Sequence, residues 1–475
     1  MIDNFFKDQI SSKLGHIPTH GQEVAIGQLL KFMNDLEKFC IFTLKGYAGT
    51  GKTSLISALI KVLADMKINT VLLAPTGRAA KVLSSYSGKS ATTIHKCIYR
   101  KKTTKKADSG FGINFNKYKD TVFIVDEASM IGNIDNGHSV FGTGRLLDDL
   151  LSYVFNDNNC RLVLLGDIAQ LPPIGTNLSP ALDKGYLESL GMKVYTTELN
   201  EVVRQSEESG ILENATLIRN MLSDENYDLP KFKLADFNDV ESISCAELLE
   251  ELESCYSKFG EHETKVICRS NKYANKYNLG IRNRIMWKEE DISHGDLLMV
   301  VKNNYSWLPE NAEIDFIANG DIIEVLRIGK RMEIYGHTYV DLTVSFIDYT
   351  ALEIDVKVIL DTLSLDAPAM DANYHKDLYQ QLQIDYDHIS DSNKRHEEIM
   401  KDPYYNALQI KFAYAVTCHK SQGGQWPAVF VDHGWLDIDN MGPKENYEFL
   451  RWLYTAVTRA TEKLYLVNFK KEFME

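Results

Sequence analysis

Two spacings of apolar residues alternate along this chain. Short unbroken apolar runs, CIFTL (40–44), TVFIV (121–125) and LVLLG (162–166), read as buried strands. SLISALIKVLADM (54–66) and LRWLYTAVTRATEK (450–463) instead place apolar residues at helical spacing. From 317 to 360 short alternating strands are separated by Gly turns, which suits a small barrel. The stretch 366–404 is polar, rich in acids and Tyr, and reads as partly helical, with a place for it as a cover. In YRKKTTKKADSGFGINFNKYKD (99–120) two short basic arms flank the turn DSGFG, a hairpin pattern. Phe111 and Phe115 near its tip are expected to be exposed.

A chain of 475 residues is long enough for two to four cores. No run approaches the ~18 apolar residues of a membrane helix, and MIDNFFKDQISSK lacks the basic flank and apolar core of a secretory signal. Seven scattered cysteines, with no CxxC or Cys/His cluster, read as reduced structural residues of a cytoplasmic protein. The net charge of −14 does not advertise a nucleic-acid binder. Charge is local, however. Between Arg78 and Lys119 eleven Lys/Arg face a single acid, Asp108.

The chemistry begins at GYAGTGKT (46–53), a full G-x-x-x-x-G-K-[ST] between a strand and a helix. Gly46, Gly49 and Gly51 let the backbone wrap closely, so that N–H groups, with those of Ala48, Thr50 and Ser54, point at phosphate oxygens. The helix that follows adds its positive end. Lys52 reaches the β/γ-phosphates and Thr53 is a ligand for Mg²⁺. These residues predict an ATP site. TVFIVDEASM (121–130) ends a buried strand in Asp126, expected to hold Mg²⁺, and Glu127, expected to polarise the attacking water. LVLLGDIAQLPPIG (162–175) ends a third strand on the same edge, where ligands of doubly wound sheets bind. Gln170 then stands beside the γ-phosphate, able to donate to phosphate and accept from water.

In order, these motifs resemble a superfamily 1B (5′-to-3′) helicase of the Dda/RecD-like type, over about residues 18 to 467. PTHGQ (18–22) resembles the adenine-reading motif, with Gln22 at the adenine edge. LLAPTGRAAKVL (72–83) and TTIHK (92–96) resemble the motifs that follow the P-loop. ELNEVVRQ (198–205) and YTAVTRATEKLYLV (454–467) supply Arg204 and Arg459, and YAVTCHKSQGGQW (414–426) lies between them. Two arginines suit a transition state whose charge spreads over the transferred phosphoryl group. Gln425 departs from the pattern: many relatives carry glutamate there.

The resemblance implies an α/β fold: two RecA-like P-loop domains, each a parallel sheet flanked by helices, with an inserted β-hairpin domain and an SH3-like β-barrel. Residues 1–95 and 121–195 are expected to form the first domain, 96–120 the hairpin, 196–320 and 405–475 the second domain, and 321–404 the barrel with its polar extension. A single strand is expected to run over Pro75, Thr76, Thr93, His95, Ser270, Asn271, Thr417, His419, Lys420 and Ser421, with Phe111 or Phe115 as a strand-separating pin. Implied partners are single-stranded DNA, a duplex junction, and replication or recombination proteins, with no membrane; a monomer is expected. Three alternatives stay open. An RNA helicase needs the same phosphate groove. A P-loop switch or clamp would have no use for Glu127 and two arginines. A subunit of a recombination complex would need its nuclease on another chain.

Overall fold

The computed structural model describes residues 2–101, 111–134, 141–156, 159–201, 209–226, 228–309, 316–348, 352–436 and 441–475. Eight strands come first: β1 (Cys40–Gly46), β2 (Asn69–Ala74), β3 (Ala91–Thr93), β4 (Tyr99–Lys101), β5 (Phe111–Ile113), β6 (Thr121–Val125), β7 (Arg161–Gly166) and β8 (Lys193–Leu199). Six of them form one parallel sheet in the order β3-β2-β6-β7-β1-β8. Parallel strands joined by helical crossovers are covered on both faces, which is why their sequences are unbroken apolar runs. Cys40, Phe42 and Leu44 pack with the helices His20–Asn34 and Lys52–Asp65, whereas Ile41 faces the helix Leu146–Val154.

After β9 (Val240–Ile243) and β10 (Thr264–Cys268), the chain builds a closed barrel from β11 (Leu297–Val300), β12 (Ile322–Ile334), β13 (His337–Phe346), β14 (Glu353–Ile359) and β15 (Leu408–Phe412). It then completes a second parallel sheet with β16 (Ala415–Thr417), β17 (Trp426–Asp432) and β18 (Ala460–Val467), in the order β16-β10-β17-β18-β9. One face of this sheet, through Val266 and Phe430, is continuous with the barrel core. The other, through Val429 and Val431, packs on the helix Pro443–Val457. Among the described residues no helix is long and apolar enough to cross a membrane.

Two expected boundaries move. The first-domain limit at 195 cuts through β8, whose residues pair with β1 without a break from Lys193 to Leu199. The barrel does not begin at 321 or end at 404, because β11 pairs with both β12 and β15. LLMV is a short apolar run and LQIKF alternates apolar with polar; both read as strands, but neither pattern names the sheet it joins. Within 366–404 the helices Ala372–Asp385 and Ser392–Lys401 form as expected. They pack on the barrel through Tyr374, Leu378, Leu382 and Ile399, which join Tyr339 and Ile359 in one core.

The hairpin forms as β4 against β5, with Tyr99 opposite Ile113; the basic turn at 102–110 lies outside the described residues. Phe111 is not exposed as expected. It is 2% exposed, its ring 5.0 Å from Phe141 and 4.9 Å from Tyr305, with Phe316 beyond. A ring near a turn is buried when other chain segments cover it, and here those segments come from far along the sequence. Phe115 is 72% exposed. Phe111→Ala should therefore destabilise the fold by about 3–5 kcal/mol, whereas Phe115→Ala should stay within about 0.5 kcal/mol. Thermal unfolding of both variants checks this: equal midpoints would refute the buried ring's role.

Candidate functional site

Because the first sheet is parallel, Gly46, Ala74, Val125 and Gly166 end β1, β2, β6 and β7 on one edge. The loops leaving that edge meet residues of the second sheet's domain around a cleft of about 350 Å³. Lys52, Thr53, Asp126, Glu127 and Gln170 line it from one side, and Gln425 and Arg459 from the other. The loop GYAGTGKT earns its glycines. Gly49 and Gly51 sit at φ +75° and +78°, and a Cβ on Gly46 would lie 2.9 Å from the Thr50 hydroxyl. Thr50 is buried and donates to the Tyr47 carbonyl (2.8 Å). Ala48 and Lys52 are half-buried, while Thr53 and Ser54 are exposed. The Lys52 ammonium is held by the carbonyls of Gly46 (2.7 Å) and Tyr47 (2.8 Å), folded across the loop it would leave to reach a phosphate.

The carboxylate pair is differently held. Asp126 accepts from the Tyr86 hydroxyl (2.5 Å) and from the Glu127 N–H (2.8 Å). Burial pushes the Tyr86 phenol far above its ordinary pKa, with Asp126 adding to the effect, so it remains a donor. Glu127 has a left-handed backbone, φ 52° and ψ 37°, a conformation few non-glycine residues adopt. Burial raises its pKa; Asp126 pushes the same way, while Arg459 and Lys52 oppose it. Gln170 is 5% exposed, and its Oε1 has no hydrogen-bond partner among the described residues.

Arg459 is buried and makes its hydrogen bonds to the carbonyls of Thr455 (3.0 Å) and Gly424 (3.1 Å) and to the Thr458 hydroxyl. Arg204 lies outside the described residues. Gln425 exposes its side chain, and Arg78 takes its backbone carbonyl (3.0 Å). Gln22 does not line the cleft. It is fully buried in the capping box that starts the helix His20–Asn34, and its Nε2 has no partner among the described residues.

Several residues of this site are not legible in the motifs. The Tyr454 hydroxyl donates to Asp167 (2.7 Å) and accepts from the Ala48 N–H (2.9 Å), so one side chain joins the P-loop, the loop after β7 and the second domain. Arg451, one turn earlier, gives its guanidinium to the carbonyls of Asn177 (2.6 Å), Ile168 (2.9 Å) and Gln170. Thr455 accepts from the Leu171 N–H (2.9 Å), and Gln422 donates to the Leu171 carbonyl (2.7 Å). The only signal was a set of polar residues on an otherwise apolar helix.

The expected strand residues collect at the carboxyl ends of the two outermost strands at one side of each sheet: Pro75 and Thr76 follow β2 and Thr93 ends β3, while Ser270 and Asn271 follow β10 and Thr417 ends β16. Thr76, Thr93 and Ser270 spend their hydroxyls capping the next helix. His95 packs on the rings of Tyr99, Phe141 and Phe316, and burial lowers its pKa to about 4, so it is neutral near pH 7. Burial also lowers the pKa of His419, and takes that of Lys420 to about 8; the Lys420 ammonium bonds Asn319. Ser421 is buried and donates to the Cys418 carbonyl. Among the described residues no group of three or more His, Cys, Asp or Glu could hold a metal. Mg²⁺ needs only one or two protein ligands when phosphates supply the rest.

Comparison with known proteins agrees with this geometry. Residues 19–229 match an AAA domain, and residues 412–467 match a UvrD-like helicase C-terminal domain. An uncharacterized protein of Acanthamoeba polyphaga mimivirus is 26% identical over 93% of this chain and 98% of its own length. The ATP-dependent DNA helicase Dda of Enterobacteria phage T4 is 28% identical over 59% of this chain and 60% of its own. The ATP-dependent RecD2 DNA helicase of Deinococcus radiodurans is 29% identical over 37% of this chain and 21% of its own. With an AAA-type domain, a UvrD-like helicase C-terminal domain and one cleft between them, the chain is similar to the Dda- and RecD-like DNA helicases of superfamily 1B.

Proposed function

We propose that the chain is an ATP-dependent DNA helicase that moves 5′ to 3′ on single-stranded DNA and unwinds duplex DNA as it hydrolyses ATP. One observation carries this reading: a P-loop, a carboxylate pair and Gln170 on one domain share a cleft with Arg459 from the other. A binding switch needs the loop but not an arginine from a second domain. Lys52 draws the γ-phosphate, and Glu127 orients the attacking water; its raised pKa makes it the better proton acceptor. Arg459, and Arg204 by its place in the motif series, stabilise the charge of the transferred group. Thr53 and Asp126 are the residues that would hold Mg²⁺, whose charge would offset that of the phosphates.

Coupling to movement follows from the contacts between domains. Gln170 responds to the third phosphate, and Arg451 grips the Gln170 carbonyl from the second domain. Opening and closing the cleft then shifts the carboxyl ends of β2 and β3 against those of β10 and β16, where we place the strand. The capping hydroxyls there leave the adjoining helix N-termini facing outward as backbone donors for phosphate. Phe115, exposed beside the hairpin, is the better of the two candidate pins. We place the protein in the cytoplasm, as a monomer working beside replication or recombination proteins.

Duplexes with a 5′ or a 3′ tail, in DNA and in RNA, test substrate and direction together. Displacement from 5′-tailed DNA is expected; displacement only from a 3′ tail, or turnover indifferent to single strands, refutes the reading. Glu127→Gln should lower turnover about 100-fold or more while nucleotide affinity, followed by a fluorescent analogue, is kept. Gln170→Ala should bind nucleotide normally and lose coupled unwinding. Arg451→Met leaves buried carbonyls unpaired, at about 1–3 kcal/mol each. It should reduce base pairs opened per ATP more than it reduces DNA-independent hydrolysis, measured by parallel phosphate-release and strand-displacement assays.

A further inference from the structure

Among the described residues a second cavity is larger than the nucleotide cleft. A groove of about 680 Å³ opens at the carboxyl ends of β17, β18 and β9, between the helices Leu248–Phe259 and Asn271–Arg284. Leu248, Leu252 and Ile281 give it an aliphatic wall, and Trp435, 89% exposed, stands at its mouth. Lys276, Arg284 and Lys470 line it and are exposed, and none of the three forms an ion pair among the described residues. Its one carboxylate, Asp432, is already engaged by the Tyr277 hydroxyl (2.5 Å) and the Gly434 N–H (2.7 Å). On a chain of net charge −14, an apolar groove edged by three cations outside any ion pair, Lys276 lying over the Tyr273 ring, is a local reversal of sign.

A second observation comes from Gly280, which also lines the groove. It lies inside the helix Asn271–Arg284, where glycine is among the least favourable residues. Its φ is not positive, and a Cβ built on it would meet nothing within 4 Å. Neither backbone conformation nor internal packing calls for glycine. Its absent side chain keeps the groove open and lets an occupant approach the helix backbone.

We infer that this groove is a docking site for an acidic peptide segment of a partner protein, its apolar side chains on the aliphatic wall and its carboxylates on Lys276, Arg284 and Lys470. The aliphatic wall of Leu248, Leu252 and Ile281 suits leucine- or phenylalanine-sized side chains; the rings of Tyr273, Tyr277 and Trp435 also line the groove, and a base stacked on them is the competing outcome that the oligonucleotide arm of the test distinguishes. The site is separate from the nucleotide cleft and does not depend on the helicase reading.

The test uses the full chain and a panel of fluorescein-labelled nine-residue peptides of Asp with one to three Phe, Leu or Ile, followed by anisotropy. At least one peptide is expected to bind saturably and to weaken with salt, while its counterpart with Lys for Asp does not bind. Gly280→Trp, at a position where a Cβ meets nothing within 4 Å, and Lys276→Glu with Arg284→Glu should each weaken binding at least tenfold. Circular dichroism melts confirm folding, and single-strand-stimulated ATP hydrolysis should stay within twofold. No saturable peptide across the panel, or binding indifferent to Gly280→Trp, overturns the proposal. So does a single-stranded oligonucleotide that displaces the peptide and is itself weakened by Gly280→Trp, since the groove would then belong to the strand path.

Discussion

The hydroxyl of Tyr454 holds this molecule's working geometry together. It donates to Asp167 and accepts from the Ala48 N–H, so the second domain touches the P-loop and the loop after β7 through one oxygen. Burial pushes its pKa well above the ordinary phenol value, which keeps the proton in place and the polarity of both bonds fixed. A hydrogen bond to a charged acceptor contributes about 1.5–3 kcal/mol, and this one is buried between domains that must also separate. Arg451 and Thr455, from the same helix, add contacts to the carbonyl and N–H groups of the neighbouring loop. The helix Pro443–Val457 therefore reads the position of Gln170 through backbone atoms, and it runs directly into Arg459. Nucleotide chemistry and domain contact share a single rigid element.

How much of this was legible in the sequence depended on whether the chemistry is local. GYAGTGKT, DEAS and GDIAQ each gather their groups within a few residues, and each sits at the end of an apolar strand, so their common edge followed from a parallel sheet alone. Tyr454 and Arg451 were hidden because their partners lie roughly 280 to 400 residues away along the chain, and because their helix looks like core. Phe111 was misjudged for the same reason: the rings that bury it, Phe141, Tyr305 and Phe316, belong to distant segments. β8, β11 and β15 were apportioned wrongly since a strand of four to seven residues, apolar or mixed, carries no mark of which sheet it joins.

The residues proposed to face the strand show a different kind of ambiguity. Thr76, Thr93 and Ser270 are helix caps, the ordinary explanation for a hydroxyl at the start of a helix. Capping and phosphate binding are not rivals here. A cap satisfies one backbone donor of the first turn and leaves others facing outward, so the residue that fixes the turn also presents its N–H groups. Gly423 shows how tightly the two domains meet at this point. Its φ is +74°, and a Cβ on it would lie 2.9 Å from the Ala79 Cβ and 3.0 Å from the Thr76 hydroxyl of the other domain. The cap of one domain rests on the glycine of the next.

Glu127 brings these constraints to one residue. Its backbone is left-handed where asparagine or glycine would be at ease, a conformation that costs about 1–3 kcal/mol and persists only where surroundings impose it. Those surroundings are the Asp126 carboxylate, which takes the Glu127 N–H, and the short helix Ala128–Met130, whose carbonyls at Ala128 and Ile131 are held by the buried Ser179 hydroxyl. The turn aims the Glu127 carboxylate at the cleft instead of letting it extend the strand. An acid kept partly out of water, beside Asp126 and facing Arg459, changes its proton affinity when the cation moves. In the proposed mechanism a displacement that carried Arg459 toward or away from the nucleotide would also change how strongly Glu127 takes a proton, because Arg459 opposes the rise that burial gives its pKa.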